Sequence, residues 1–157
     1  MDTYEELQDA ACKDGIDVID YPFKSKQIKG LYCNGTIAIS KSLTTQAEKS
    51  CILAEELGHH YTSYGDILEQ TEIMNRKQEY RARLYGYNLK IGLTGLIRAC
   101  ESGCKNLYEM ADYLDATEEY LKEAIQCYRS KCGVCTAIDN YVIYFEPFAV
   151  MRMISVD

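Results

Sequence analysis

The sequence has little in it that loosens a chain. Two prolines and ten glycines in 157 residues leave no stretch with the composition of a disordered linker, so order nearly throughout is expected. A long apolar run is also missing: nothing approaches the roughly 20 residues that a helix needs to cross a bilayer. The first twenty residues lack the basic head and apolar stretch of a secretory signal, so a cytoplasmic protein is expected. Basic charge is short as well, with 17 Lys and Arg against 24 Asp and Glu and a formal net charge of -7. That balance disfavours a nucleic-acid or anionic-membrane surface as the main function. Protein or small-molecule partners remain.

What is present fits an ordered globular chain. Apolar residues make up 47% and charged residues 26%, enough to bury a sizeable core in one domain, or in one core with a small helical extension. Eight cysteines would suggest disulfides in a small secreted domain, but without a signal segment they read as reduced thiols. Cys100/Cys104 and Cys132/Cys135 are spaced closely enough to raise a second zinc site or a redox pair. The lack of nearby histidine and the loop setting of Lys131-Cys132-Gly133-Val134-Cys135 favour buried or incidental thiols instead.

Along the chain, Tyr4, Leu7, Ala10 and Ala11 recur at helical spacing from about Thr3 to Lys13, and Asp14-Gly15 supplies the stop. After the β-prone run Ile16 to Ile19, Gly30-Leu31-Tyr32-Cys33 and Thr36-Ile37-Ala38-Ile39 flank Asn34-Gly35, the dipeptide suited to a two-residue hairpin. Thr45-Gln46-Ala47-Glu48 has the form of a capping box and announces a helix from Gln46 to about Thr62. In it Cys51, Ala54, Gly58 and Tyr61 share one face, which Leu53 and Leu57 widen, so the helix should be largely buried. Gly58 costs about 1 kcal/mol against alanine inside a helix, which predicts that another backbone approaches closely there. Past Tyr64-Gly65-Asp66 a second helix runs from about Asn75 to Lys90. Three short helices follow, at Leu93 to Ser102, Leu107 to Leu114 and Thr117 to Ser130, then a strand at Tyr141 to Phe145 before Pro147. The pattern divides into a core over residues 1–91 and a helical subdomain with a C-terminal strand over 92–157.

Glu55 and His59 are four apart on the buried helix, so a carboxylate and an imidazole can address one ion from successive turns. Glu56 sits beside them, where a metalloprotease helix carries its general base. The usual pattern begins with histidine, whereas this one reads Glu55-Glu56-Leu57-Gly58-His59, and adjacent glutamates before a histidine are also common on solvated helices. His60 lies about 100° around the helix from His59, so it reads as a hydrogen-bonded or exposed imidazole before a ligand. Asp66 reads first as a loop cap or turn residue and second as an alternative ligand.

The stretch Ala54-Glu55-Glu56-Leu57-Gly58-His59-His60, followed by Glu79-Tyr80-Arg81-Ala82-Arg83-Leu84-Tyr85-Gly86, resembles the ImmA/IrrE family of metallo-endopeptidases. In that family a zincin helix is joined to a downstream glutamate ligand on a second helix, within a pattern matched here by Glu79, Ala82 and Tyr85. The resemblance implies an α+β fold: a zincin-like core of helices with a small antiparallel sheet, plus a helical, helix-turn-helix-like C-terminal subdomain. It further implies His59 and Glu79 as metal ligands, Glu56 as general base, and Glu55 as a substitute ligand in the missing histidine's place. Glutamate is an accepted zinc ligand. Zinc is the ion expected; with two carboxylates and one neutral imidazole, however, a divalent ion is brought to formal zero and polarises its water less, so that either activity is modest or a harder ion such as manganese occupies the site.

The family likeness also implies a function: site-specific cleavage of a helix-turn-helix transcriptional repressor of a mobile element or prophage, which relieves repression. The competing expectation is a catalytically silent antirepressor that keeps the fold and works by binding. The chain's own helix-turn-helix-like segment is a poor DNA surface. Between Asn106 and Lys131 it carries Glu109, Asp112, Asp115, Glu118, Glu119 and Glu123 against Lys122, Arg129 and Lys131, so packing or protein docking is expected and direct nucleic-acid binding is not.

Overall fold

A computed structural model describes residues 3–63 and 72–154. The chain is α+β and divides into two compact units, Met1–Lys90 and Ile91–Asp157. In the first, α1 (Thr3–Lys13), β1 (Asp17–Tyr21), β2 (Gly30–Cys33) and β3 (Thr36–Ser40) precede two long helices, α2 (Gln46–Thr62) and α3 (Glu72–Lys90). Alternation along β3 sends Ile37 and Ile39 inward, where they are fully buried with Leu53, Ala54 and Leu57 of α2 and Tyr4, Leu7 and Ala11 of α1. The hairpin forms as expected: Asn34 and Gly35 both take positive φ, +46° and +80°, the requirement of the tight turn whose twist matches its strands. Thr45 Oγ1 accepts from the Glu48 amide at 3.1 Å and caps α2. Glu48 returns the contact through the Thr45 hydroxyl, Oε1 to Oγ1 3.1 Å, a side-chain variant of the expected capping box.

The sheet itself is mixed, where an antiparallel one was expected. Its order is β1-β3-β2, with β2 antiparallel to β3 and β1 parallel to it, Val18 opposite Ile37 and Asp20 opposite Ile39. Residues 22–29 carry the chain past the place later filled by β3, so the hairpin turns back into the gap and its second strand runs with β1. That leaves β2 on an edge, with α2 packed beside it.

In the second unit α4 (Gly92–Glu101), α5 (Leu107–Tyr113) and α6 (Glu118–Cys132) lead into β4 (Cys135–Ile138), β5 (Tyr141–Phe145) and β6 (Phe148–Arg152). Side chains cap α5 and α6, Asn106 accepting from Glu109 N at 2.8 Å and Thr117 from Tyr120 N at 3.1 Å. The strand expected at Tyr141–Phe145 is the middle of an antiparallel meander, β4-β5-β6. Its neighbours are short, and one follows a helix end directly while the other follows Pro147; neither gives a strand period of its own. Leu96, Ala99, Leu121, Ala124 and Ile143 are fully buried. No helix among the described residues is long and apolar enough to cross a membrane.

Candidate metal centre

The site begins with a seam of small residues. A methyl group placed on Gly58 of α2 would lie 2.1 Å from the Ala82 carbonyl oxygen of α3, and one on Gly86 would lie 2.9 Å from the Ala54 carbonyl oxygen. Ala54-x-x-x-Gly58 and Ala82-x-x-x-Gly86 therefore mate head to tail, one turn of each helix against one turn of the other. Backbones touch where side chains would ordinarily hold helices 8–10 Å apart. The close approach expected at Gly58 is present, and Ala82 lies opposite it.

The seam carries Glu55 and His59 of α2 and Glu79 of α3 to one point. One ligand atom from each lies within 4.8 Å of the others, all three residues being half-buried, and this group could hold a metal ion. His59 Nε2 and Glu79 Oε1 are 3.6 Å apart. Arg83, one turn on from Glu79, sets its Nε 3.4 Å from the same oxygen. Among the described residues no other cluster of this kind is found.

Glu56 stands next to the group in a different setting. Burial first, then the carboxylates of Glu55 and Glu79, push its acid up to about 7, against a hydrogen bond from the Tyr32 backbone that favours the charged form. A cation at the neighbouring residues would oppose the rise. Strand β2 closes this side of the site. A methyl on Gly30 would meet Ile52 Cγ2 at 2.5 Å and Glu56 Oε1 at 3.2 Å, so only glycine lets the edge strand lie so near the Glu56 carboxylate. Neither Gly30 nor Tyr32 stood out in the sequence as a site residue. The available signal was a glycine opening a strand, where it weakens the strand unless a close approach requires it.

His60 turns away from the group, as expected for a hydrogen-bonded imidazole. Its Nδ1 is 2.8 Å from Tyr32 Oη, and its ring meets Tyr32 and Tyr61 edge-on. The Tyr61 hydroxyl donates to Asp14, and its ring lies against Tyr85 with centroids 5.2 Å apart. Tyr85 thus braces the end of α2 from α3. Asp66 lies outside the described residues. No disulfide forms among the described cysteines; burial, and then Cys104 beside it, raise the Cys100 thiol above its ordinary value.

The donor set suits a divalent cation. Tetrahedral zinc with bonds of about 2.1 Å needs its donors about 3.4 Å apart, which the His59–Glu79 pair nearly meets at 3.6 Å, while no separation in the group, all within 4.8 Å, need close by more than about 1.4 Å. Side-chain rotation can supply that. Two carboxylates and a neutral imidazole cancel the ion's formal charge, and the two oxygen donors admit oxygen-preferring ions as well as zinc. No protein-family model, curated protein or solved structure matches the chain.

Proposed function

We propose that the protein is a metal-dependent, site-specific endopeptidase whose substrate is a helix-turn-helix transcriptional repressor of a mobile element or prophage. One observation carries the reading: Glu55, His59 and Glu79 meet within 4.8 Å across a helix pair, with Glu56 one position off the ligand set. In this reading those three hold zinc, or manganese, and the fold is a zincin-like core with a helix-turn-helix-like subdomain at α5 and α6. A bound divalent ion supplies Lewis acidity to the scissile carbonyl and to the attacking water. Glu56 takes the proton from that water and passes it to the leaving amine. The Tyr32 amide donates to the Glu56 carboxylate, and the absence of a side chain at Gly30 leaves room for that carboxylate beside β2. Its half-buried place serves a group that must both accept and return a proton.

The feature that favours a second reading is Glu55 itself. A formally neutral centre activates water less than one with two imidazoles, and a chain that keeps the fold but not the chemistry would act as an antirepressor by binding. Glu56→Gln separates the two. Under the first reading it leaves metal content and thermal stability nearly unchanged and slows repressor cleavage by about 10²–10⁴, whereas Glu79→Gln lowers bound metal. The assay incubates each version with repressors encoded beside the gene, with and without chelator, and looks for fragments by mass spectrometry. Repressor inactivated with no cleaved product, equally by wild type and Glu56→Gln, would establish the binding module and end the protease reading.

A further inference from the structure

The outward face of α3 is the odd surface of this chain. Helix α3 holds five of the 17 basic residues and only two of the 24 acidic ones, and one of those two, Glu79, belongs to the metal group. Ile73, Arg76 and Tyr80, and Ile73, Lys77 and Arg81, are linked by steps of three and four, so the five share a single stripe, on the side of α3 away from Ala82 and Gly86. Together they line an open concavity of about 550 Å³. Ile73 is 59% and Tyr80 42% exposed, with Met74 beside them at 53%. Among the described residues, Arg76, Lys77 and Arg81 make no salt bridge, although the protein as a whole has acid to spare.

We propose that this stripe is a docking site for an acidic, amphipathic peptide segment of a partner protein. Ile73 and Tyr80, two turns apart, offer an apolar track, and the three cations flank it with donors for carboxylates; the arginine forks can grip a carboxylate through two bonds. From Ile73 to Arg81 the stripe is about 12 Å long, the reach of two turns of a helical ligand. Charge decides between partner classes. A polyanion such as DNA, or an anionic bilayer, extends well beyond a screening length of about 8–10 Å and would meet the acidic remainder of the chain. A short peptide feels only the local stripe. The proposal stands whether or not the neighbouring group holds a metal, since none of the stripe residues belongs to it.

The probe is a fluorescein-labelled 14-residue peptide with leucines seven apart and four glutamates at the flanking positions, followed by fluorescence anisotropy on the full chain. Saturable binding is expected, weakening as salt rises. The peptide with lysines in place of the glutamates should bind at least tenfold more weakly. Combining Arg76→Glu, Lys77→Glu and Arg81→Glu should weaken binding at least tenfold, and combining Ile73→Ser with Tyr80→Ser should weaken it severalfold, all with bound metal unchanged. Circular dichroism checks the fold, and the milder triple change of the same cations to glutamine serves if the reversal unfolds. Absence of saturable binding to the wild type, or equal binding by the folded triple variant, overturns the proposal. So does tighter binding of a DNA duplex or of phosphatidylserine vesicles that the same triple variant abolishes.

Discussion

Replacing Gly58 with alanine tests the geometry on which the metal group depends. By helix propensity alone the change should stabilise α2 by about 1 kcal/mol. The structure puts the opposite sign on it. The new methyl would lie 2.1 Å from the Ala82 carbonyl oxygen, over 1 Å inside van der Waals contact, and the obstacle is backbone that no rotamer can clear. The helices must part, losing packing along the whole seam, and overpacking of this kind costs about 1–3 kcal/mol. Gly86→Ala meets the Ala54 carbonyl oxygen at 2.9 Å and should cost less. Gly95→Ala in α4 meets only side-chain ends, Leu114 Cδ2 at 3.4 Å and Ile91 Cγ2 at 3.9 Å, and should be neutral or stabilising by about 0.4–1 kcal/mol. The ordering Gly58→Ala below Gly86→Ala below Gly95→Ala in stability is therefore expected in urea denaturation followed by far-ultraviolet circular dichroism. Parting the seam also moves Glu79 away from Glu55 and His59, so metal affinity should fall together with stability in the first variant. Gly58→Ala as stable as wild type, or more so, would mean that the helices do not approach as described, and the argument for a shared ion across them would fail.

Glu55→His should shift selectivity toward zinc, raising the ratio of zinc to manganese affinity about tenfold, because an imidazole replaces a hard oxygen donor; competition with a chromogenic chelator reads both constants, and an unchanged ratio would remove Glu55 from the coordination sphere. Cys100, whose thiol is raised by burial, should carry little thiolate at pH 8 and alkylate more slowly than the exposed Cys135. Timed iodoacetamide labelling with peptide mapping checks this, and equal rates would contradict the burial.

Features written in neighbouring residues were legible before the structure. The first helix, the Asn34-Gly35 hairpin and the capped start of α2 each depend on contacts within a few positions, and each lies where the sequence put it; α3 starts three residues earlier than its apolar spacing suggested. Features that depend on distant pairing were not legible. The parallel β1–β3 match needs a crossover through residues 22–29, and β4 and β6 gain their strand character only from pairing with β5. The same division runs through the site. Glu55 and His59 share a helix and could be read as a pair from spacing alone, but Glu79 is twenty positions further on and entered only through a family resemblance. Gly30 and Tyr32 bear on Glu56 from a strand that no local pattern ties to α2.

One local signal did reach across that distance. Ala54 and Gly58 on one helix, and Ala82 and Gly86 on the next, form the same alanine–glycine pair four apart, and its repetition on two consecutive helices points to a backbone seam more strongly than either pair does. The ligand positions lie beside it: Glu55 follows Ala54, His59 follows Gly58, and Glu79 stands three places before Ala82. Ligand and seam residues thus occupy adjoining stripes of the same two turns. Any rotation of α2 that kept the seam packed would keep Glu55 and His59 facing α3, and any rotation that turned them away would drive Leu53 or Leu57, both buried in the core, toward water. Burying either leucine is worth about 1.5–3 kcal/mol, which holds the helix in this orientation. The meeting of Glu55 and Glu79 at His59 is therefore imposed by the packing of the helix pair, and a cation held there would relieve it further than Arg83 does from beside Glu79.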